Sequence, residues 1–358
     1  MSERPSLLES VLDLARWAPS GDNTQPWRFE ITGDYTVTVH GFDTREHCVY
    51  DFAGRPSQIS LGALLETITI AASGHGMRAE VSRRSTLEDT HPTFDVRLVP
   101  DAGVAPSALL ASVTERTVQR RAMRMTPLVA EDKSELQAAA GADYRVIWLE
   151  SFGERMRMAR CLYQNARIRL TMPEAYEVHR DVIEFGAQFS CDRIPDQAVG
   201  LDPLSTLLMR WMMASWSRMR FFNRYLGGTL LPRIELDLIP GIACAAHFAL
   251  RAPRPPVSVD DFVQAGRAVQ RFWLTATRLG LHLQPEMTPL IFNWYVRSGT
   301  RFSSDAALWD DARTLAAKLA NVLGADTLND AVFLGRVGRG AKPAARSLRL
   351  PLQSLLRR

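Results

Sequence analysis

Residues 15–29 read ARWAPSGDNTQPWRF, and the parsing of this stretch decides the fold. Apolar Leu8, Val11, Leu12, Ala15 and Trp17 lead into it at roughly helical spacing, behind a Ser6–Glu9 capping box. Pro19 disfavours helical geometry in the residue before it, so the helix is expected to stop near Ala18. Beyond the break, Trp27 to Ile31 and Tyr35 to Val39 alternate like two strands around Thr32, Gly33 and Asp34, a hairpin pattern. This explains both edges of the stretch. It does not explain the polar run between them, Ser20 to Gln25.

Outward from the motif, Ile59 to Ala72 is expected to be a largely buried helix ended by Ser73 and Gly74, and Thr93 to Leu98 a strand. The part up to about Pro106 is therefore α+β in character. A helix-like stretch opens near Ser107 and runs into TERTVQRRAMRMTPL. Residues 154–222 pattern mostly as helix, broken by the loop FSCDRIPDQAVGLDPLS. Trp211, Met212, Met213, Trp216, Met219, Phe221 and Phe222 make its end very apolar, which predicts core or a subunit contact. A later helix has its own capping box at Ser258 and Asp261. Phe262, Ala265, Val269, Phe272, Trp273 and Ala276 line one face of it, and Gly280 closes it. AVFLGRVGRG then reads as a strand entering a basic tail.

The chain has 358 residues, 46% of them hydrophobic, enough for a sizeable core. A formal net charge of +4 is too mild to demand a nucleic-acid partner, and no basic–aromatic repeat is present. Cys48, Cys161, Cys191 and Cys244 are too scattered for a zinc site and are expected to be small buried hydrophobes in a reducing cytoplasm. MSERPSLLES lacks the basic and apolar regions of a secretion leader. The apolar run Leu238 to Leu250 is too short to cross a bilayer and carries Pro240, Gly241 and His247, so no membrane association is expected.

No G-x-S-x-G, H-E-x-x-H, Walker loop or strand-linked G-x-G-x-x-G occurs. His179, near Glu177, Asp181 and Glu184, fits a solvated charged face better than a metal site, and no metal is expected. The lack of a protein nucleophile points to a cofactor that carries the chemistry, or to a binding protein. An aromatic cofactor with a phosphate tail needs cations and N–H donors, an apolar platform and polar groups at the ring edge. Arg116, Thr117, Arg120 and Arg121 form one cationic cluster; Arg336, Arg339, Arg346 and Arg349 form another. Spacing alone does not separate either from a solvated surface.

The opening motif changes this balance. It closely resembles the A-P-S-x-x-N-x-Q-P-W signature of FMN-dependent nitroreductase-fold proteins. YDFAGRPSQISLGALLETITIAASGHG resembles the helix after the first hairpin in the long single-chain, Acg-type branch. ERTVQRRAM, RLGLHLQPEMTPL and GRVGRGAKPAARSLRLP resemble later family segments in the same order. The resemblance implies an α+β nitroreductase-like fold: an antiparallel-rich mixed sheet flanked by helices, in two unequal halves that form a pseudo-dimer. Residues 1–106 would be the reduced half and 107–358 the fuller one, with a helical lid at about 175–240. FMN would lie between the halves. Pro19, Ser20, Gly21, Asn23 and Gln25 would border it. Arg116, Thr117 and Arg120 would hold its phosphate with Arg346 or Arg349, and Pro285, Glu286 and Met287 would offer a backbone N–H to the reactive ring nitrogen. Glu115 and Gln119 depart from the family pattern, where basic residues are common. The implied activity is NAD(P)H-driven reduction of a small organic substrate through the flavin; the alternative is flavin storage in a closed pocket. The implied partner is a small molecule, and the two-half chain could pair further as a homodimer.

Overall fold

The computed structural model describes residues 5–85, 88–225 and 227–357. The first four residues, part of the segment on which the leader expectation rests, lie outside them. The fold is α+β, with two antiparallel four-stranded sheets. The first has the order Trp27–Gly33, Thr36–Gly41, Thr93–Pro100, Met77–Arg83. The second has the order His282–Pro285, Ala331–Gly338, Ala246–Arg251, Arg145–Leu149.

The helix Leu7–Ala15 starts where its capping box places it: Ser6 Oγ accepts from the Glu9 N–H at 3.1 Å, and Glu9 accepts from the Ser6 N–H at 2.8 Å. The buried helix runs Arg55–Ser73. The amphipathic one runs Val259–Arg278, capped by Ser258 and Asp261 as expected.

These two helices cross at glycines. A Cβ on Gly62 would stand 1.9 Å from the carbonyl oxygen of Val263, and one on Gly266 would stand 2.0 Å from that of Ile59. Each oxygen belongs to the residue three before the facing glycine, so the contact is reciprocal. It has the form of a two-fold contact made within one chain. Gln270 donates to Thr67 Oγ1 at 2.9 Å beside the crossing, and Arg267 and Arg271 both reach Glu66. Val259 and Val263 thereby enter the core of the first sheet, and Ile59 enters the core built on the 288–323 helices.

The tail returns to the first sheet. Leu352 and Leu355 are buried in its core, and the Arg357 N–H donates to Phe29 O at 2.7 Å.

Two expectations need correction. The helix expected from Ser107 is a single turn, Ser112–Glu115. Arg116 turns extended there, and Val118 bridges in parallel to Leu283, so tertiary pairing overrides helical propensity. Only Cys161 and Cys244 are buried; Cys48 is half-buried and Cys191 exposed.

Because the carbonyls facing both glycines are backbone, neither helix can yield locally. Gly62→Ala or Gly266→Ala is expected to cost about 3 kcal/mol by overpacking, read as a drop in the denaturant midpoint. An unchanged midpoint would show that the crossing is looser than described.

Candidate functional site

A cavity of about 460 Å³ opens between the 20–23 turn, the crossing helices and the 173–225 helices. That size suits a cofactor or small ligand. Pro19, Ser20, Gly21, Asn23, Arg116, Thr117, Arg120, Pro285, Glu286, Met287, Arg346 and Arg349 all line it. The structure thus gathers them from four distant stretches of sequence.

Gln25 does not line the cavity. It is fully buried and acts as a clip. Its Nε2 donates to Asn23 O at 3.1 Å and Cys191 O at 2.8 Å, and its Oε1 accepts from the Leu350 N–H at 2.9 Å. Asn23 does the same work from the cavity wall. Its Nδ2 donates to Cys191 O, Arg193 O and Leu348 O at 3.2 to 3.3 Å. The polar run of the opening motif therefore ties three chain segments together. The geometry is strained: Asp22, Asn23 and Gln25 have φ of 50°, 63° and 49°, in the left-handed region. Strain of this kind persists only where surrounding bonds fix it.

One wall is cationic without compensation. Arg116, Arg346 and Arg349 stand together, and their hydrogen bonds run to backbone carbonyls. Arg116 donates to Trp17 O, Arg346 to Thr114 O, and Arg349 to Ala18 O, at 2.9, 3.0 and 2.9 Å. Arg116 also lies 4.7 Å over the Trp273 ring, and Arg346 5.3 Å over Trp17. Burial, then mutual repulsion, lowers the basicity of Arg116 well below the usual guanidinium range and that of Arg349 to about 9. Arg339, from the same sequence cluster, instead pairs with Asp132. Arg121 bonds Leu201 O, and Gln119 bonds Ala341 O. Glu115 is exposed.

A second group is paired. Glu286 accepts from His247 Nδ1 at 2.7 Å and from Arg336 at 2.9 Å, while His247 Nε2 donates to Gly241 O at 2.6 Å. Both histidine nitrogens thus face acceptors. Burial opposes charge on His247, but the Glu286 carboxylate outweighs it and raises the imidazole to about 10. For Glu286, burial is in turn outweighed by His247 and Arg336, and its pKa is lowered. The backbone N–H of Glu286 is committed to Leu334 O at 2.8 Å, and Pro285 has none. Of the three residues expected to offer an N–H, Met287 is the one that can.

A third group was missed by sequence reasoning. Arg169 donates to Asp237 at 2.7 Å, and Tyr50 OH meets His179 Nε2 at 3.1 Å, with the two rings stacked. His179 therefore belongs to the cavity wall, half-buried, rather than to a solvated charged face. Burial, with Arg169 nearby, lowers its pKa to about 3 and keeps it neutral. Asp237 sits in a π-helical segment, Ile234–Leu238, an irregularity that sequence periodicity does not flag. Asp22 is pushed up by burial, partly offset by Arg120.

Several buried polar atoms of these residues have no protein partner. They include the Nε atoms of Arg116, Arg169, Arg336 and Arg346, Asn23 Oδ1, Asn165 Oδ1, Gln284 Oε1 and Asp237 Oδ2, all on cavity-lining side chains. Buried polar groups of this kind are ordinarily completed by water, an ion or a ligand. Among the described residues no cluster could hold a metal ion.

The fold and the cavity define the class: an α+β protein with a cationic, aromatic-flanked ligand cleft. No family model matches the chain. It is 24% identical over 290 residues to the "Uncharacterized protein MT1398" of Mycobacterium tuberculosis, a match that covers 79% of this chain and 39% of that protein. Over 136 residues it is 33% identical to the "Putative NAD(P)H nitroreductase MT3217" of the same species, covering 37% of this chain and 39% of the relative. Over 79 residues it is 35% identical to the "Putative NAD(P)H nitroreductase acg", covering 22% and 23%. The matches thus span well under half the length of each relative. An FMN-dependent nitroreductase from Mycobacterium smegmatis, solved with NADPH, aligns over 69% of this chain and 96% of its own at 15% identity. Its TM-score is 0.38, too low to bear on the assignment. Over part of its length the chain is thus similar to proteins named as NAD(P)H nitroreductases.

His247 ties pH to stability. Its pKa is raised on folding, so the stabilisation is complete below its ordinary value of 6.5 and is lost as pH rises toward about 10. Glu286, lowered on folding, contributes above its ordinary 4.5 and loses that contribution as pH falls. His247→Gln is expected to cost about 3 kcal/mol at pH 7 and to flatten the alkaline decline. Denaturant midpoints at neutral and alkaline pH check this; an unaltered alkaline decline would remove His247 as its cause.

Proposed function

We propose that the chain is an FMN-dependent oxidoreductase that draws electrons from NAD(P)H and reduces a small organic molecule in the cleft. The observation that carries this is the set of three mutually repelling arginines, Arg116, Arg346 and Arg349, with no carboxylate among their hydrogen-bond partners. A buried cluster of like charges is costly without an anion, and a phosphate monoester meets it with charge-assisted bonds. The two relatives named as putative NAD(P)H nitroreductases support the NAD(P)H part of this reading.

The residues fit the cofactor in three ways. Arg116, Arg346 and Arg349, with Thr117, would hold the phosphate. The Pro19–Asn23 turn, which the Gln25 clip keeps strained and fixed, would border the ring and ribityl chain. Gln284 and the Met287 N–H would meet the polar ring edge, where Gln284 Oε1 has no protein partner. When bound, the flavin supplies reversible hydride transfer. The chain supplies orientation and exclusion of water. The His247–Glu286–Arg336 network fixes the strand end behind the ring edge. Two halves, 1–106 and 107–358, would enclose the ring, with the 175–240 segment as lid; the reciprocal glycine crossing supports that division. No side chain need act as general acid.

Arg346→Met gives a test with two opposite signs. It removes one repelling cation, so the flavin-free protein should melt no lower than the parent. FMN affinity should fall about tenfold or more, the worth of a charged hydrogen bond. Protein that shows no flavin absorbance, as purified or after addition of FMN, would overturn the proposal. Steady NADH or NADPH oxidation under air by the FMN-loaded protein separates turnover from storage.

A further inference from the structure

The helices Pro203–Met213 and Trp216–Tyr225 are apolar on two sides. Met209, Met212, Met213 and Met219 line the cavity, the last three buried. On the other side Leu204, Leu207, Leu208 and Trp211 follow at the i, i+3, i+4, i+7 spacing of one helical stripe. They are 75%, 64%, 37% and 48% exposed. Phe221, Leu230 and Leu231, later in the same segment, are exposed as well. Exposed apolar surface of this extent marks a contact surface.

The charge on this segment is of one sign. Residues 203–233 contain five arginines and neither aspartate nor glutamate. Arg210, Arg218 and Arg220 are exposed, and Arg218 lies 4.9 Å over the Trp211 ring, so cation and apolar stripe occur together. A Leu/Trp/Phe face with arginines and no acids is the composition of a helix that lies in a bilayer interface and favours anionic lipid. At 11 residues the first helix is too short to span a membrane, and no described helix is long and apolar enough to do so. The absence of a spanning segment, on which the expectation of no membrane association rested, does not bear on a surface-lying helix.

We propose that this helix pair docks the protein on anionic lipid bilayers. The apolar stripe enters the interface, the arginines meet the headgroups, and the methionine side faces the cavity. The cleft would then open next to the membrane, where an apolar substrate concentrates. The docking step is independent of the flavin proposal.

The test is co-sedimentation of the full chain with vesicles of equimolar phosphatidylcholine and phosphatidylglycerol, against vesicles of phosphatidylcholine alone. Binding is expected to the anionic vesicles, weakened by salt. Each of Arg218→Gln and Arg220→Gln should weaken it about fivefold. Leu207→Asp combined with Trp211→Asp should abolish it with an unchanged circular dichroism spectrum. A protein that stays in the supernatant with anionic vesicles overturns the proposal. So does equal binding to both vesicle types. A dimer in sedimentation velocity that the Leu207→Asp, Trp211→Asp variant dissociates, without vesicle binding, assigns the face to a second copy and likewise overturns it. None of these readings requires bound flavin, so either proposal can fail alone.

Discussion

The Gly62–Gly266 crossing joins a helix buried in the core of the first sheet to one buried in the core of the second. Two backbones in van der Waals contact leave no freedom for adjustment, because the atoms that would clash are carbonyl oxygens rather than movable side chains. The Arg55–Ser73 helix carries Ile59, Ser60 and Ala63 to the cavity wall, and the Val259–Arg278 helix carries Val269 and Trp273. Trp273 in turn lies under Arg116. The position of the cationic wall is therefore inherited from two missing side chains.

Charge is divided unevenly around this frame. Where the chain supplies both signs, as in His247, Glu286 and Arg336, the buried ions pair with one another and act as structure. Where it supplies one sign, as in Arg116, Arg346 and Arg349, the arginines bond only backbone carbonyls, and in the proposed function an anionic ligand would supply the balance. The two arrangements both contribute side chains to the lining of the same cavity.

Much of this was legible in sequence. Capping boxes at Ser6 and Ser258 fixed two helix starts, and the alternation after Trp27 marked the hairpin. The resemblance gathered the arginines before any contact was known. Other features were hidden for physical reasons. The helix Ala306–Leu323 starts at a lone Asp305 cap, which accepts from the Ala307 N–H but has no capping-box partner to set it apart from a turn aspartate. The roles of Asn23 and Gln25 as clips depend on carbonyls at 191, 193 and 348, which no local pattern brings near. His179 looked solvated because its acidic neighbours dominate the helix, yet the ring turns toward Tyr50. Glu286 drew attention for its backbone, and its carboxylate turned out to be the more informative group.

The clip has a consequence for the order in which the molecule is made. Gln25 holds the early turn against Leu350, Asn23 holds it against Leu348, and the Arg357 N–H completes the contact with Phe29. Two of the three arginines of the cationic wall, Arg346 and Arg349, lie in that same late stretch. The turn that borders the cleft is therefore fastened in full only once residues 348–350 have joined it, after the carbonyls at 191 and 193. A chain cut short before residue 346 would lack two of the three clustered arginines, both late partners of the clip, and the Leu352 and Leu355 side chains of the first core.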